Sequence, residues 1–209
     1  SPARSVASAL EHLLLPAECL LCRALLPFER ADHLVCAVCR HRWRPVRPPW
    51  CGRCGQPEPH FGPCRLCATW PVALRHARSA VWLDEGGKEG EGGGARAAIH
   101  ALKYRGLARL ADDLAEVMAR HLPPADEPSV LVPIPLGPRR LRERGYNQSD
   151  RLAAALGRRW GLPIADHVLA RARDTASQTA LTPQARLANV AGAFEARNAE
   201  FGMRNDPAA

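Results

Sequence analysis

An α/β fold preceded by a small cysteine-organised unit is predicted by three features of the 209-residue sequence. Four Cys-x-x-Cys pairs fall in its first third. A proline-bounded apolar run at 129–135 leads into an arginine cluster. Stretches rich in Ala and Leu, with apolar residues at helical spacing, lie on both sides of that run, and the alternation of strand and helix is an α/β pattern.

The cysteine pairs are Cys19/Cys22, Cys36/Cys39, Cys51/Cys54 and Cys64/Cys67. Zinc takes four ligands in a tetrahedron, about 2.3 Å from each sulfur, and a Cys-x-x-Cys turn places two thiolates at adjacent corners. Thirteen residues separate the first two pairs and nine the last two, and both loops suit a zinc ribbon. Gly55, directly after Cys54, lets the backbone turn tightly beside the sulfur. Four pairs within 49 residues predict two structural zinc ions held by Cys19, Cys22, Cys36, Cys39, Cys51, Cys54, Cys64 and Cys67. Two pairings stay open: sequential, or interleaved with the first pair sharing a metal with the third. All ligand positions are filled by protein, so the metals are structural, and they supply much of the folding free energy of so small a unit. His33, His41 and His60 lie nearby and read as surface residues. Trp43, Trp50 and Trp70 either pack around the metal sites or stack on nucleobases. The cysteine unit spans residues 1–76, the remainder 77–209.

Taken in order, Val6, Ala9, Leu10, Leu13 and Leu14 predict a helix stopped by Pro16. The Gly/Glu-rich tract 84–94 predicts a flexible loop. Ala95, Ala98, Ile99 and Leu102 mark a second helix, and Leu107, Leu110, Ala111, Leu114 and Met118 a third that ends before Pro123-Pro124. The run Ser129-Val130-Leu131-Val132-Pro133-Ile134-Pro135 reads as a buried parallel strand. Residues 149–160 return to helical spacing, with Gly161 as the stop. Thr182-Pro183 predicts an N-cap and first turn of a last helix, ended by Gly192.

Aromatic residues make up only 5 % of the chain, so the core is built from Leu, Val and Ala. The formal charge is +8, and eight thiolates holding two Zn²⁺ bring it to +4. That excess suits a partner carrying phosphate. No run approaches the ~20 apolar residues of a membrane span. Paired cysteines without an export signal predict a reducing compartment and metal rather than disulfides.

After the apolar run come Arg139, Arg140, Arg142 and Arg144, four arginines in six residues, then Gly145-Tyr146-Asn147-Gln148 and a helix start. Ligands of open α/β sheets bind beyond the carboxyl ends of strands. Guanidinium forks grip phosphate oxygens, and a helix N-terminus adds free N–H groups. An anion-binding loop is expected here. Arg96, His100 and Lys103, with Tyr104 beside them, form a second basic stripe. Arg171, Arg173, Thr175, Gln178, Arg186 and Asn189 form a third polar cluster, either a lid over the site or a cap on the last helix.

Together these motifs resemble the ComF competence family. The resemblance rests on the double ribbon, then His100-x-x-Lys103-Tyr104-x-Gly106, Val132-Pro133-Ile134-Pro135, and Arg139-x-x-Arg142-x-Arg144-Gly145-Tyr146-Asn147-Gln148. It continues with Arg171-x-x-x-Thr175-x-x-Gln178-x-x-Leu181 and Arg186-x-x-Asn189, and covers about residues 10–194. It implies a type I phosphoribosyltransferase-like α/β domain behind a double zinc ribbon. It implies a role in handling single-stranded DNA during natural transformation, with other competence proteins as partners. Lys103, Tyr104, Arg139, Arg142, Arg144, Gly145, Tyr146, Asn147 and Gln148 are then expected at phosphate or pyrophosphate. Arg171, Thr175, Gln178, Arg186 and Asn189 are expected in a hood. The ligand would be single-stranded DNA or phosphoribosyl pyrophosphate, with magnesium needed only for catalysis. The family continues into an acidic pair and a Thr-Thr-Gly ribose-phosphate loop that residues 195–209 do not carry. An incomplete sheet, a C-terminal truncation and no phosphoribosyl transfer are therefore expected, with a non-functional truncated remnant as the remaining alternative. The resemblance also implies a cytoplasmic protein in which the tract 84–94 is an insertion.

Overall fold

The computed structural model describes residues 16–57, 64–83, 94–124, 129–178 and 181–197. The helix expected over 6–15, the tract 84–93, His60 and residues 198–209 lie outside them.

The cysteine-rich front is mostly turns, with one short helix, α1 (Ala37–Arg42), and a 3-10 turn at Phe28–Arg30. Isolated antiparallel bridges at Glu18/Leu25 and Trp50/Pro57 close the two cysteine units, and a third at Pro45/Val81 ties the segments between them. Two helices follow, α2 (Ala95–Tyr104) and α3 (Leu110–His121), on the spacing read from the sequence. A seven-residue helix α4 (Pro138–Arg144) opens with proline in its first turn and ends on Gly145 at φ +81°. Helix α5 (Gln148–Trp160) is capped by Asn147, whose side chain accepts from the Ser149 N–H, and stops at left-handed Gly161. Helix α6 (Pro183–Val190) starts at the Thr182 cap as expected. It is flanked by β1 (Leu169–Arg171) and β2 (Phe194–Ala196), which pair antiparallel with Leu169 opposite Ala196. The protein is thus α/β, with helices dominating and a small sheet.

One apolar core holds the layers together. Ala98, Leu102, Leu110, Leu114 and Val117 of α2 and α3 pack with Cys19, Leu26, Val35, Cys39 and Trp43 of the first cysteine unit and with Tyr146. On its other side α3 meets α5 through Ala115, Ala155 and Leu156. Small residues at this seam let the two helix backbones approach closely. The second cysteine unit forms its own cluster, in which, among the described residues, Cys51, Cys54 and Cys67 pack against Cys64 and Trp70.

Two expectations are corrected. The run 129–135 is extended but is not a buried strand: Val132 and Ile134 are 38 % and 53 % exposed. It makes a single parallel bridge, Leu131 to Ile164, closed by Leu131 N–H to the Pro163 carbonyl and Ala165 N–H to the Leu131 carbonyl. Pro133 and Pro135 have no N–H to continue a ladder, so pairing stops after one rung. The arginine segment is helix α4 and not a loop, because Pro138 fixes the first turn and Arg139 pairs with Glu143 one turn on at 2.9 Å.

Leu110 is fully buried between the cysteine unit and the helices, whereas Leu187 on α6 is 72 % exposed. Leu110→Ala is expected to destabilise by about 2–5 kcal/mol and Leu187→Ala by less than about 0.5 kcal/mol, read from urea unfolding followed by circular dichroism.

Candidate functional site

The cysteines gather sequentially, Cys19/Cys22 with Cys36/Cys39 and Cys51/Cys54 with Cys64/Cys67. The interleaved pairing does not occur. Within each set all four sulfurs lie within 4.8 Å of one another. Sγ–Sγ distances of 3.7 Å (Cys22–Cys36), 3.7 Å (Cys51–Cys67) and 3.6 Å (Cys54–Cys64) match the edge of a zinc–sulfur tetrahedron, about 3.8 Å for bonds of about 2.3 Å. The donor sets therefore fit two structural zinc ions.

Backbone N–H groups point at the sulfurs. Cys36 N–H donates to Cys19 Sγ at 3.3 Å, and Cys39 N–H to Cys36 Sγ at 3.4 Å, where Cys36 also caps α1. In the second unit Gly55 holds φ +69°, and a Cβ there would stand 2.7 Å from the Ala77 carbonyl oxygen, so the turn admits only glycine. Arg53 ties this unit shut by donating to the carbonyls of Cys67, Trp70, Pro71 and Leu74. In the metal-free thiols, burial pushes Cys19 up, but N–H donors from Cys36, Cys22 and Leu21 outweigh it and bring the thiol to about 7. N–H groups of Cys54 and Arg53 lower Cys51 to about 6. Burial raises Cys67 to about 12 and also pushes Cys39 up. N–H donors thus favour the thiolate of Cys19 and Cys51, whereas burial favours the thiol of Cys39 and Cys67 until a cation displaces the proton.

A buried polar network behind the first site was not anticipated. His33, expected at the surface, is half-buried, and its Nδ1 lies 2.7 Å from Asp113 Oδ1 on α3. Arg40, next to Cys39, donates from Nη1 to the same oxygen at 2.5 Å and approaches Glu116 at 3.1 Å. Leu34 N–H donates to Asp113 Oδ2 at 2.8 Å. Arg40 Nη1 also lies 2.7 Å from His33 Nδ1 and Arg30 Nη1 3.1 Å from Nε2, so the imidazole is enclosed by two guanidinium groups and the Asp113 carboxylate. The available signal was Asp113 itself, which sits three residues after Leu110 and four before Val117 on the inward face of α3. Trp43 is buried in the core and packs rather than stacks. Trp50 and Trp70 are half-buried, Trp70 under the Arg53 guanidinium at 6.0 Å.

Three separate segments meet around a cavity of roughly 840 Å³. Its walls carry Lys103 and Tyr104 from α2, Arg140 and Arg144 from α4, and Gln178 and Arg186 from the α6 region. Four cations face one carboxylate, Glu143. Tyr104 is 62 % exposed, with His100 against it at 4.7 Å between ring centroids and the Arg144 guanidinium 5.4 Å from its ring centre. Arg140, one of the four arginines of the expected anion site though outside the family motif, stands four residues before Arg144 and so shares its helix face. Arg139 turns toward an adjoining cavity of roughly 460 Å³ that also has Arg171 and Thr175 in its wall. Arg142 stands exposed on α4, outside the walls of both cavities.

The turn 144–148 supports this arrangement. Arg144 bonds Gln148, and the Tyr146 hydroxyl donates to the Leu102 carbonyl on α2. Asn147 donates to the Ile134 carbonyl at 2.9 Å and to Asp150 at 2.8 Å. Tyr146 and Asn147, expected at phosphate, use their polar groups to join α2, the extended run and α5. In the third cluster Arg171 donates to Thr175 at 2.5 Å, and Arg173 donates to the carbonyls of Asn189 and Ala191 at the end of α6. Arg186 and Asn189 donate to the carbonyls of Gln178 and Ala176. These contacts hold 173–178 against α6, so the cluster caps that helix while presenting Gln178 and Arg186 to the cavity.

Thiol protons compete with metal, so zinc affinity at both sites is expected to fall as pH drops from 8 to 6, with protons released on binding in weakly buffered titrations. Cys39→Ser, which opens the shared core, is expected to lower helical circular dichroism. Cys54→Ser, in the satellite unit, is expected to leave that signal intact and halve the bound zinc.

Comparison with known proteins gives the "Double zinc ribbon domain" family over residues 10–68. The "Competence protein ComFC" of Bacillus subtilis (strain 168) is 31 % identical over 160 residues, covering 67 % of this chain but 62 % of that protein. The "DNA utilization protein YhgH" of Salmonella typhimurium is 30 % identical over 189 residues, covering 87 % of this chain and 78 % of that protein. Its Escherichia coli (strain K12) namesake is 29 % identical over 193 residues with the same coverage. No solved structure matches. Likeness at this level along most of both chains, with the ribbon motif and its cysteine tetrads in place, makes the chain a member of the ComF family.

Proposed function

We propose that this chain binds single-stranded DNA as part of DNA uptake and use, with the backbone running through the basic cavity and a base stacked on Tyr104. The observation that carries this is the junction of Lys103, Arg140, Arg144 and Arg186 around an exposed tyrosine. Cations neutralise consecutive phosphates, and a ring beside them offers a face that any base can use. The relatives named for competence and for DNA utilization support the same reading. On this reading the ribbon unit supplies a rigid front, and residues 77–209 form a phosphoribosyltransferase-like unit whose anion site has been turned to a nucleic-acid backbone.

A second occupant is favoured by the size of the cavity, roughly 840 Å³, which falls in the range of small-molecule sites. Phosphoribosyl pyrophosphate, with its phosphate groups, would meet the same four cations.

Fluorescence anisotropy with labelled oligothymidylate tests the first reading. With four phosphate contacts, log K is expected to fall with log salt at a slope of about −3. Arg144→Ala should flatten that slope by about 0.7. Tyr104→Ala should weaken binding by about 1–3 kcal/mol while leaving the slope unchanged. Binding indifferent to salt would defeat the proposal. Displacement of the oligonucleotide by phosphoribosyl pyrophosphate, but not by ribose, would place the small ligand in the same cavity.

A further inference from the structure

We propose that Asp113, on helix α3, is a positioning residue for the first zinc site, holding three of its four ligand segments through one buried carboxylate. The side chain is completely buried, and both oxygens are engaged by the cysteine unit. Oδ2 takes the N–H of Leu34, two residues before Cys36. The Leu34 carbonyl in turn accepts from Leu20 N–H at 2.8 Å, next to Cys19. Oδ1 takes the guanidinium of Arg40, next to Cys39, and the imidazole of His33 at the base of the same arm. The Cys19, Cys36 and Cys39 segments are therefore fixed from a helix that contributes no ligand.

Groups that hold metal-binding segments in place shape the affinity of the site, because the ligands then need no reordering when the ion arrives. The second site has no buried carboxylate of this kind among the described residues: Arg53 donates to the carbonyls of Cys67, Trp70 and Pro71, and the Ala77 N–H and Arg78 donate to the carbonyls of Arg53 and Gly52. A carboxylate serving only to pack α3 against the front would lower the stability of the fold while leaving the metal affinity of the folded first site unchanged. Loss of first-site affinity in a variant that stays folded is therefore the distinguishing mark.

The test uses the full chain loaded with cadmium, for which cadmium-113 NMR gives each all-sulfur site its own resonance. Cys54→Ser removes the second signal and so assigns the pair. Chelator is then titrated into the protein and into Asp113→Asn, which keeps the side-chain size but loses the charge. First-site affinity is expected to fall roughly 10- to 100-fold, with the second site unchanged. Arg40→Lys, which keeps the charge but not the planar fork, is the milder variant and decides the matter if Asp113→Asn does not fold. It should weaken the first site alone and by less. Equal weakening of both sites, or an unchanged first site in the folded variants, overturns the proposal.

Discussion

Four sulfurs converging on one point repel one another as thiolates and leave a poor core as thiols, so a dication between them decides whether the surrounding chain has a structure. The front of this molecule is built on that constraint twice, with different neighbours. Around Cys19 and Cys39 the sulfurs form part of the wall that α2 and α3 pack against. Around Cys51, Cys54 and Cys67 they are nearly the whole core, helped by Trp70. Ordering of the first site is thus shared with burial of Leu102, Leu110 and Leu114. The second depends on its metal and on the Arg53 clasp.

That division explains what was legible in the sequence. Cysteine spacing identifies the eight ligands because a Cys-x-x-Cys turn is local, but it left two pairings open, and the sequential one is settled by each hairpin closing on itself in the fold. Helices α2, α3, α5 and α6 were legible for the same reason: apolar period, caps and glycine stops act within a few residues. The run 129–135 misled because apolar content predicts burial, whereas the number of available N–H groups determines pairing. The arginine cluster misled in the opposite sense. Its charge suggested a loop, but Pro138 and the Arg139–Glu143 pair favour a helical turn.

Long-range polar contacts left fainter traces. Asp113 on an apolar helix face was a visible anomaly, yet its partners His33 and Arg40 lie 80 and 73 residues away, and no local rule connects them. Convergence of Lys103, Arg140, Arg144 and Arg186 likewise depends on the turn 144–148 joining α2 to α5. In that turn Gly145, Tyr146 and Asn147 shape the backbone and leave their arginine neighbours to face the cavity. A motif that looks like a ligand-binding signature therefore divides into residues that build and residues that face outward.

The prolines of the extended run carry a consequence for behaviour at high concentration. Val132 and Ile134 present apolar side chains to water along a segment already in strand geometry, the sort of template on which a neighbouring molecule adds itself and starts an aggregate. Pro133 and Pro135 share the register of Leu131, whose N–H pairs with Pro163, so they strip the donors from that edge, and on the opposite edge the Ile134 carbonyl is already taken by Asn147. A segment that looks ready for a partner strand thus offers each of its two edges with part of its hydrogen bonding withdrawn.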